Sequence, residues 1–368
     1  MRLLSTIILA MGLAASAHAT TPSFINTDQN HIEGNLPKFK RGLQSLEEGK
    51  DTVLRILHIG DSHIQAEMVT NELRRLLQQR YGNAGRGFVA PLRLAGTNQS
   101  HDYAITRPVQ GTDTTLQTRL LKFPWPVKPG VGGVAVKTSV PVSYRITPKT
   151  EGHSIKNITN FTSQGISEKR LEQNADSIDI DIPAGVAYYG SIIENGKKGI
   201  LYSAIGNNGA CFTDYSLIDS FPQTTAQFDA DLIILSMGTN EGFSTMTDEE
   251  IRRSVENLTT SLRFFNPEAE FLILAPMECQ KNRNHGHKPL SEFYDVNQRV
   301  VEAKDIILSQ VKKQGIPYWD FYTVAGGEGA STKWLEQGLL NKDRIHLYKA
   351  GYELMARLLF DALTQEAQ

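Results

Sequence analysis

The chain has 368 residues, of which 40% are hydrophobic and 21% are charged, a composition typical of globular proteins. Its 38 basic and 40 acidic residues give a formal net charge of −2, so no basic excess indicates a nucleic-acid-binding protein. The length suits one large domain with an insertion, or two domains.

The N-terminus has the pattern of a secretory signal peptide. Met1 and Arg2 precede an apolar run over residues 3–15, and small residues then flank His18 up to Ala19. A charged start, an apolar core and an A-x-A end predict export with cleavage after Ala19. The apolar run is shorter than the roughly 20 residues of a membrane span. No later segment is long and apolar enough, so we expect no transmembrane segment in the mature chain.

The next part of the chain predicts an N-terminal arm followed by a strand, a turn and a helix. Residues 20–50 are polar and are interpreted as an irregular arm of the mature protein. Residues 53–59 are apolar and strand-like, and they end in Gly-Asp-Ser-His at 60–63. Apolar residues then recur at helical spacing, which predicts strand, sharp turn and helix over 53–80.

The sequence changes character between about residues 100 and 195. Prolines and turn residues separate short β-type runs such as 133–142 and 178–182, and no long amphipathic helix is visible. We interpret this part as a β-rich insertion, a sandwich or part of one. Trp125 is better explained by core packing than by stacking on a sugar.

Alternating strands and helices return after the insertion. The pattern predicts strands over 200–205, 232–237, 271–275 and 316–321, and helices after Thr247, across about 291–313 and over 350–363. The strand at 232–237 is almost wholly apolar, as expected for a strand buried on both faces of a parallel sheet. The alternation predicts a three-layer α/β/α domain with a parallel sheet. Sites in such sheets form at the carboxyl ends of the strands.

Three residues suggest nucleophilic catalysis. Ser62 lies in the strand-to-helix turn, and a serine hydroxyl becomes a useful nucleophile when a neighbouring base removes its proton. Asp343 lies three residues before His346, so its carboxylate can accept the imidazole Nδ1–H and support the imidazolium. Taken alone, Ser62 is better explained as a helix N-cap, and the spacing of the other two residues also fits a surface Asp and a His at the start of the last helix.

Two further segments could stabilise an oxyanion. Asn240 follows the most apolar strand in Gly-Thr-Asn-Glu, and one such amide donor lowers a barrier by about 3–4 kcal/mol. Gly-Asn-Asn-Gly-Ala at 206–210 follows another strand, and a glycine lets a backbone N–H approach a reacting oxygen closely. Gly209 is preferred over Gly206, which stays open, and both segments are also ordinary turn sequences.

In this order, the four segments resemble the four blocks of the SGNH (GDSL-like) hydrolases. The resemblance implies a flavodoxin-like α/β/α fold and a serine esterase with Ser62 as nucleophile. It implies that Asp343 and His346 complete the triad, that the oxyanion hole consists of the Ser62 and Gly209 N–H groups with the Asn240 amide, and that no metal or organic cofactor is needed.

Residues 60–66, 71–74 and 82–88 narrow the resemblance to the peptidoglycan O-acetylesterases of Gram-negative bacteria. Those enzymes carry a β-sandwich module, resembling a carbohydrate-binding domain, inserted after the first block. The resemblance therefore implies four parts: a signal peptide over 1–19, an N-terminal arm over 20–50, a discontinuous hydrolase domain over 51–100 and 196–368, and an inserted module over 101–195.

The implied reaction removes the acetyl group from the C6 hydroxyl of N-acetylmuramic acid in peptidoglycan. The implied location is the periplasm, in association with the cell wall or outer membrane. Related exported esterases share these blocks, so the acetylated glycan stays open. The alternatives are an acetylesterase or acetyltransferase for another exported polysaccharide, and an inactive protein that binds cell-wall glycan.

The two cysteines leave their pairing open. Cys211 and Cys279 are the only cysteines, and export permits a disulfide, but two isolated buried thiols fit as well. Cys279 with His285 and His287 does not have a zinc-site spacing and lacks a fourth ligand, so we expect no metal site there.

Overall fold

The computed structural model describes residues 21–107, 114–150, 152–283 and 293–365. The predicted signal peptide at 1–19 lies outside the described residues, as do His285 and His287. No helix in the described ranges is both long enough and apolar enough to cross a membrane.

The described chain alternates between strands and helices at both ends and is mainly β in the middle. The strands are β1 (Val53–Gly60), β2 (Gly87–Val89), β3 (Tyr103–Thr106), β4 (Thr115–Arg119), β5 (Val134–Thr138), β6 (Val142–Pro148), β7 (Ile155–Thr162), β8 (Gly165–Ala175), β9 (Ile178–Ile182), β10 (Ala187–Glu194), β11 (Gly199–Gly206), β12 (Leu232–Ser236), β13 (Glu270–Ala275), β14 (Gln280–Asn282), β15 (Tyr294–Val296) and β16 (Tyr318–Asp320). The α-helices are α1 (Pro37–Glu47), α2 (Ser62–Gln65), α3 (Met68–Tyr81), α4 (Phe221–Thr225), α5 (Asp248–Phe265), α6 (Gln298–Lys313), α7 (Phe321–Val324), α8 (Ala330–Glu336) and α9 (Lys349–Thr364).

A five-stranded parallel sheet lies at the centre, in the order β11-β1-β12-β13-β16. Numbered along the chain within this sheet, the order is 2-1-3-4-5, the flavodoxin-like arrangement. Four of the five residues of β12 are buried, because helices cover both faces of the sheet. The structure therefore confirms the predicted α/β fold with a central parallel sheet.

Alternate residues of the sheet strands belong to two separate cores. In β1, Ile56 packs in the core that includes Leu73 of α3 and Leu358 of α9. Leu57 packs in the other core, with Val255 of α5 and other residues. Successive side chains of a strand point to opposite faces, so α1, α3 and α9 lie on one face of the sheet, and α5 and α6 on the other. These are the two helical layers.

The middle of the chain forms antiparallel sheets. One has the order β4-β5-β10-β7-β8, with β2 also paired to β10, and the other has the order β3-β6-β9. Tyr144 of β6 stacks on Tyr188 of β10, with ring centroids 5.3 Å apart, so the two sheets pack face to face. These antiparallel sheets fit the predicted inserted domain, whose boundaries stay a prediction. β2 pairs with β10 although it precedes residue 101.

The β-rich part shares a core with the parallel sheet. Phe88 of β2, Phe161 of β7 and Phe228 just before β12 form a three-ring cluster, with centroids 5.4–5.9 Å apart. Because the three rings come from both parts, the β-rich sheets pack directly against the hydrolase layers.

A buried ion network also joins the two parts. Arg86 donates to Glu67 at 2.6 Å and to Asp102 at 2.9 and 3.1 Å. Arg74 of α3 donates to the same two carboxylates, at 2.9 and 3.1 Å. The side chains are between 0 and 10% exposed. Two positive and two negative charges therefore neutralise each other where α3 meets the start of the β-rich part.

Two predictions about helices were wrong. Residues 20–50 are not irregular throughout, because Phe39, Leu43 and Leu46 form the buried stripe of α1. The helix expected from about residue 291 begins at Gln298, because β15 pairs with β14 just before it and Asn297 N–H bonds to Cys279 O.

Candidate active site

A sharp turn between β1 and α2 exposes Ser62 at the carboxyl edge of the sheet. Asp61 is the N-cap of α2, and its Oδ1 accepts the His63 N–H at 2.9 Å. A Cβ on Gly60 would lie 2.4 Å from Ile64 Cγ1 and 2.6 Å from Ser236 O, so a side chain there does not fit. Ser62 is the first residue of α2, where unpaired N–H groups favour negative charge.

The turn before α9 folds the Asp343 carboxylate back onto His346. Asp343 Oδ1 accepts the N–H groups of Ile345 and His346 at 3.0 and 2.9 Å, and its Oδ2 lies 2.8 Å from His346 Nδ1. Arg344, inside this turn, has φ +66°, a left-handed conformation that costs a non-glycine residue about 1–2 kcal/mol. Three hydrogen bonds thus hold the Asp343 carboxylate against His346.

The structure brings Ser62, His346 and Asp343 into one hydrogen-bonded chain. His346 Nε2 lies 2.8 Å from Ser62 Oγ, across a separation of 284 residues. With Nδ1 bonded to a carboxylate, the ring carries its proton on Nδ1 and offers the Nε2 lone pair to the hydroxyl. This arrangement can remove a proton from Ser62 as its oxygen attacks an electrophile.

The electrostatics favour a charged Asp343 and a more basic His346. Burial opposes the charge on Asp343, but hydrogen bonds from the His346 ring and from two backbone N–H groups lower its pKa to about 2. The hydrogen bond that the His346 ring donates to Asp343 raises the pKa of His346 above its usual 6.5, and burial of the ring opposes that rise. A carboxylate beside the imidazole therefore stabilises the imidazolium that forms during proton transfer.

The two glycines of the 206–210 segment have different environments. Gly206 is the last residue of β11 and pairs with Gly60, and a Cβ on it would lie 2.1 Å from Gln65 N. Gly209 lies in the exposed turn after that strand with φ +83°. Within the described residues, no backbone or side-chain acceptor takes the Gly209 N–H. That N–H is available to a ligand, whereas close packing explains the glycine at 206.

Asn240 contacts the turn that carries Ser62 through a hydrogen bond to Asp61. Its Nδ2 donates to Asp61 Oδ2 at 3.3 Å and to Ala210 O at 3.1 Å. The amide therefore lies between the Ser62 turn and the 206–210 loop. In the described residues, neither Asn240 nor Gly209 bonds directly to Ser62.

The sequence prediction missed two buried acids beside these groups. Asp61 is 2% exposed and Glu241 is fully buried. Burial raises the pKa of each carboxyl to about 7. Glu241 Oε1 accepts the Phe212 N–H at 2.8 Å, while Oε2 has no partner among the described atoms. One indication of these acids was present in the sequence, since Asp61 directly precedes Ser62 and Glu241 directly follows Asn240.

Gln65 was also missed, and it holds the loop that carries Gly209. Its Oε1 accepts the Asn208 N–H at 2.7 Å, and its Nε2 donates to Thr97 Oγ1 and Asn98 Oδ1 at 2.7 and 2.6 Å. Gln65 is 3% exposed. The side chain thus ties α2 to the loop after β11 and to residues 97–98.

The His63 ring packs beside the His346 ring. Its ring centroid lies 5.0 Å from that of His346, and its Nδ1 lies 3.0 Å from Tyr352 Oη. Burial, with a smaller contribution from His346, lowers the pKa of His63 to about 3. A neutral ring therefore lies against His346, whose own charge changes during proton transfer.

The two cysteines do not pair with each other. Cys211 and Cys279 are both buried free thiols, so the alternative of two isolated thiols applies. Among the residues that the structure describes, no three side chains of His, Cys, Asp or Glu form a group that could hold a metal ion.

Comparison with known proteins gives a family-model match to part of the chain and a structural match over most of it. Residues 184–354 match the model of the GDSL-like lipase/acylhydrolase family, and no curated protein sequence matches the chain. A solved structure described as a peptidoglycan O-acetylesterase is 25% identical, covers 90% of this chain and 96% of its own, and has a TM-score of 0.70. A lipase/acylhydrolase structure from Enterococcus faecalis is 16% identical, covers 45% of this chain and 77% of its own, and has a TM-score of 0.34.

The family match covers β11, β12 and the helices up to α9, including Gly209, Asn240, Asp343 and His346. The peptidoglycan O-acetylesterase structure covers nearly the whole chain, so it includes the antiparallel sheets as well. The chain therefore contains a GDSL-like lipase/acylhydrolase domain with the SGNH hydrolase fold, and it is an esterase.

Proposed function

We propose that this protein is an exported serine esterase that removes O-acetyl groups from peptidoglycan, at the C6 hydroxyl of N-acetylmuramic acid. The observation that carries the chemistry is the pair of 2.8 Å hydrogen bonds that link Ser62, His346 and Asp343. The choice of substrate is supported by the likeness to a peptidoglycan O-acetylesterase over 90% of the chain.

In this proposal Ser62 is the nucleophile and His346 the general base and acid. His346 Nε2 takes the hydroxyl proton as Ser62 Oγ bonds to the acetyl carbonyl carbon. The bond between that carbon and the sugar oxygen then breaks, and His346 returns the proton to the departing C6 oxygen. A water molecule next attacks the acetyl-enzyme, losing a proton to His346, and acetic acid leaves as the Ser62 hydroxyl is restored.

The negative oxygen of each tetrahedral intermediate needs donors that are already oriented. We assign this role to the Ser62 and Gly209 N–H groups and to the Asn240 amide. In the resting structure the longer Asn240 bond, 3.3 Å to Asp61, is the weaker of its two. The oxyanion replaces Asp61 as the acceptor of that N–H, while the hydrogen bond to Ala210 keeps the amide in place.

The proposed substrate also determines where the enzyme works. Peptidoglycan lies outside the cytoplasmic membrane, and residues 1–19 have the pattern of a signal peptide. We therefore assign the protein to the periplasm of a Gram-negative bacterium, with the β-rich part at 101–195 as an inserted module that contacts glycan.

Acetate release from purified O-acetylated peptidoglycan tests the proposal, with base-deacetylated peptidoglycan as the blank. We expect Ser62→Ala to lower the rate at least about a thousandfold. Ser216→Ala is the matched control, because Ser216 is exposed and its hydroxyl bonds only to Thr213 O, and it should keep the full rate.

Three outcomes would contradict the proposal. Equal activity of the Ser62→Ala enzyme would remove the mechanism. Release of acetate from another acetylated polysaccharide, with none from peptidoglycan, would remove the substrate. Transfer of the acetyl group to an acceptor sugar in place of free acetate would show a transferase.

A further inference from the structure

Two stacked aromatic rings lie on the turn between β4 and β5, where Phe123 is exposed and Trp125 is half-buried against the core. Phe123 is 61% exposed, and its ring stacks on that of Trp125 with centroids 4.5 Å apart and planes 26° apart. The Trp125 indole N–H donates to Arg119 O and Leu120 O, at 3.2 and 3.0 Å. The polar edge of the indole is thus satisfied inside the turn, and the apolar Phe123 ring is the member of the pair that faces solvent.

This aromatic pair borders the proposed active site. Leu121 lies on the same turn, two residues before Phe123, and packs against Gly209. Its Cδ1 is 3.5 Å from the point where a Cβ on Gly209 would lie. Two residues of extended chain span at most about 7 Å, so Phe123 lies close to the Gly209 loop. Arg119 also donates to Gly96 O at 3.2 Å, next to the residues 97–98 that Gln65 contacts. The turn is therefore held against the loop that carries the proposed oxyanion donor.

Exposed aromatic rings are concentrated on this side of the molecule. Four aromatic side chains in the described ranges are at least 40% exposed: Phe123, Phe243, Phe264 and Tyr348. Phe243 follows Asn240 by three residues and Tyr348 follows His346 by two, whereas Phe264 lies near the C-terminal end of α5. An α-helix after a parallel strand begins at the carboxyl edge of the sheet and ends at the opposite edge, so Phe264 lies far from the site.

We propose that the stacked rings of Phe123 and Trp125 form a subsite that binds a pyranose ring of the glycan, adjacent to the sugar whose acetyl group lies at Ser62. This inference rests on the proposed function. The C–H face of a pyranose is flat and apolar, and its hydroxyls point outward, so it can cover an aromatic face and keep its contacts with water. An exposed apolar surface of this kind marks a binding site more often than a lone exposed side chain does.

The subsite predicts a selective effect on polymeric substrate. Binding energy from a remote sugar orients the reacting acetyl group only when that sugar is present. The ratio of kcat/KM on O-acetylated peptidoglycan to kcat/KM on an aryl acetate should therefore fall about fivefold to tenfold in Phe123→Ala, given the strength of a stacking contact. Phe123→Tyr should keep the ratio, because it retains the ring.

Phe264→Ala is the matched control, since it removes an even more exposed phenyl ring, 75% exposed and packed on Phe265, from the far edge of the sheet. It should leave the ratio unchanged. An equal ratio in Phe123→Ala and the unsubstituted enzyme would overturn the subsite while leaving the esterase proposal intact. No release of acetate from peptidoglycan by the unsubstituted enzyme would overturn the substrate assignment, and this subsite with it.

Direct binding gives a second test that does not depend on turnover. Trp319 and Trp334 are fully buried, so Trp125 dominates any change in tryptophan emission when a ligand covers the turn. Soluble peptidoglycan fragments titrated into the Ser62→Ala protein should change this emission, and Phe123→Ala in the same background should weaken the binding about fivefold or more. Unchanged emission at saturating fragment would contradict the proposal.

Discussion

His346 has hydrogen-bond partners on both ring nitrogens. It is the proposed general base, so only its neutral form can accept the Ser62 proton. The Asp343 contact raises the pKa of His346 above 6.5. At pH 6.5 more than half of the rings are therefore protonated and unable to accept the Ser62 proton. We expect kcat/KM on an aryl acetate to rise with pH through a midpoint above 6.5. A flat profile between pH 5 and 8 would contradict this role for His346.

Asp343→Asn should change both the rate and this pH profile. The substitution removes the carboxylate whose hydrogen bond, together with its charge, raises the pKa of His346, so the midpoint should move to lower pH. The loss of the correct tautomer should lower kcat on the order of 10⁴-fold. A variant that keeps the midpoint of the unsubstituted enzyme would show that Asp343 does not set the basicity of the ring.

Glu241 should make the stability depend on pH. Its carboxyl has a pKa of about 7 in the folded protein against an ordinary 4.5, so between these values the folded chain holds a proton that the unfolded chain releases. The free energy of unfolding therefore falls as pH rises through this window. Urea unfolding at pH 4.5 and at pH 8 measures the free energy of unfolding of Glu241→Gln and of the unsubstituted protein. The difference, variant minus unsubstituted protein, should be more favourable to the variant at pH 8 than at pH 4.5.

The control for this measurement is Glu168→Gln on β8, because Glu168 is exposed. Its difference from the unsubstituted protein should be the same at both pH values. If Glu241→Gln also showed equal differences at pH 4.5 and 8, the buried carboxyl would not hold its proton in the folded state.

At the scale of elements, α1 shows how a segment read as an irregular arm becomes part of the fold. Phe39, Leu43 and Leu46 are buried in one core with the sheet, and the Glu270 carboxylate of β13 accepts the N–H groups of Lys38 and Phe39 at 2.9 and 2.7 Å. The spacing i, i+4 and i+7 was present in the sequence. The N-cap residue Leu36, by contrast, has no polar side chain to accept a hydrogen bond, and a strand residue far along the chain supplies the acceptor for the first turn.

We expect Phe39→Ala to lower the free energy of unfolding by about 3–5 kcal/mol, since it removes a fully buried phenyl ring from a packed core. Gln44→Ala on the exposed face of the same helix should change it by less than about 0.5 kcal/mol. Chemical denaturation followed by circular dichroism measures both. If Phe39→Ala lowered the free energy of unfolding by less than about 1 kcal/mol, α1 would be only loosely packed on the sheet, as the interpretation of an N-terminal arm implies.

At the scale of the whole molecule, the ion network of Glu67, Arg74, Arg86 and Asp102 fixes the β-rich part against α3. Each arginine contacts both carboxylates, and the Arg86 guanidinium also lies 4.5 Å from the centroid of the Tyr103 ring. Removal of one arginine leaves two buried carboxylates with a single cation. Such uncompensated charge is more damaging than the loss of an exposed pair.

Arg86→Ala should therefore lower the free energy of unfolding by about 3–5 kcal/mol. The matched control is Arg80→Ala, because Arg80 pairs with Glu47 while both side chains are nearly half exposed, at 48% and 46%, and such a pair contributes up to about 1 kcal/mol. Urea unfolding at one pH compares the two variants. Equal losses would show that water reaches the network and screens its charges.

The sequence by itself determined the features that depend on neighbouring residues. The apolar runs of β1 and β12, the turn through Gly60 and Ser62, and the Asp343-to-His346 spacing are short-range patterns, and strand and helix periods follow from backbone geometry. They were sufficient to predict the α/β fold and to mark Ser62, Asp343 and His346 as candidates, and the resemblance to the SGNH hydrolases then grouped the three as one site.

The tertiary structure alone decided the contacts between residues that are far apart along the chain. Asp61 meets Asn240, and Gln65 meets Asn208, because β1 lies between β11 and β12 in the sheet. The raised pKa of Glu241 and the exposure of Phe123 depend on burial, which no local pattern contains. Burial and sheet order arise only when the whole chain packs. The free-energy cost of burying a polar side chain depends on the partners that distant segments bring to it.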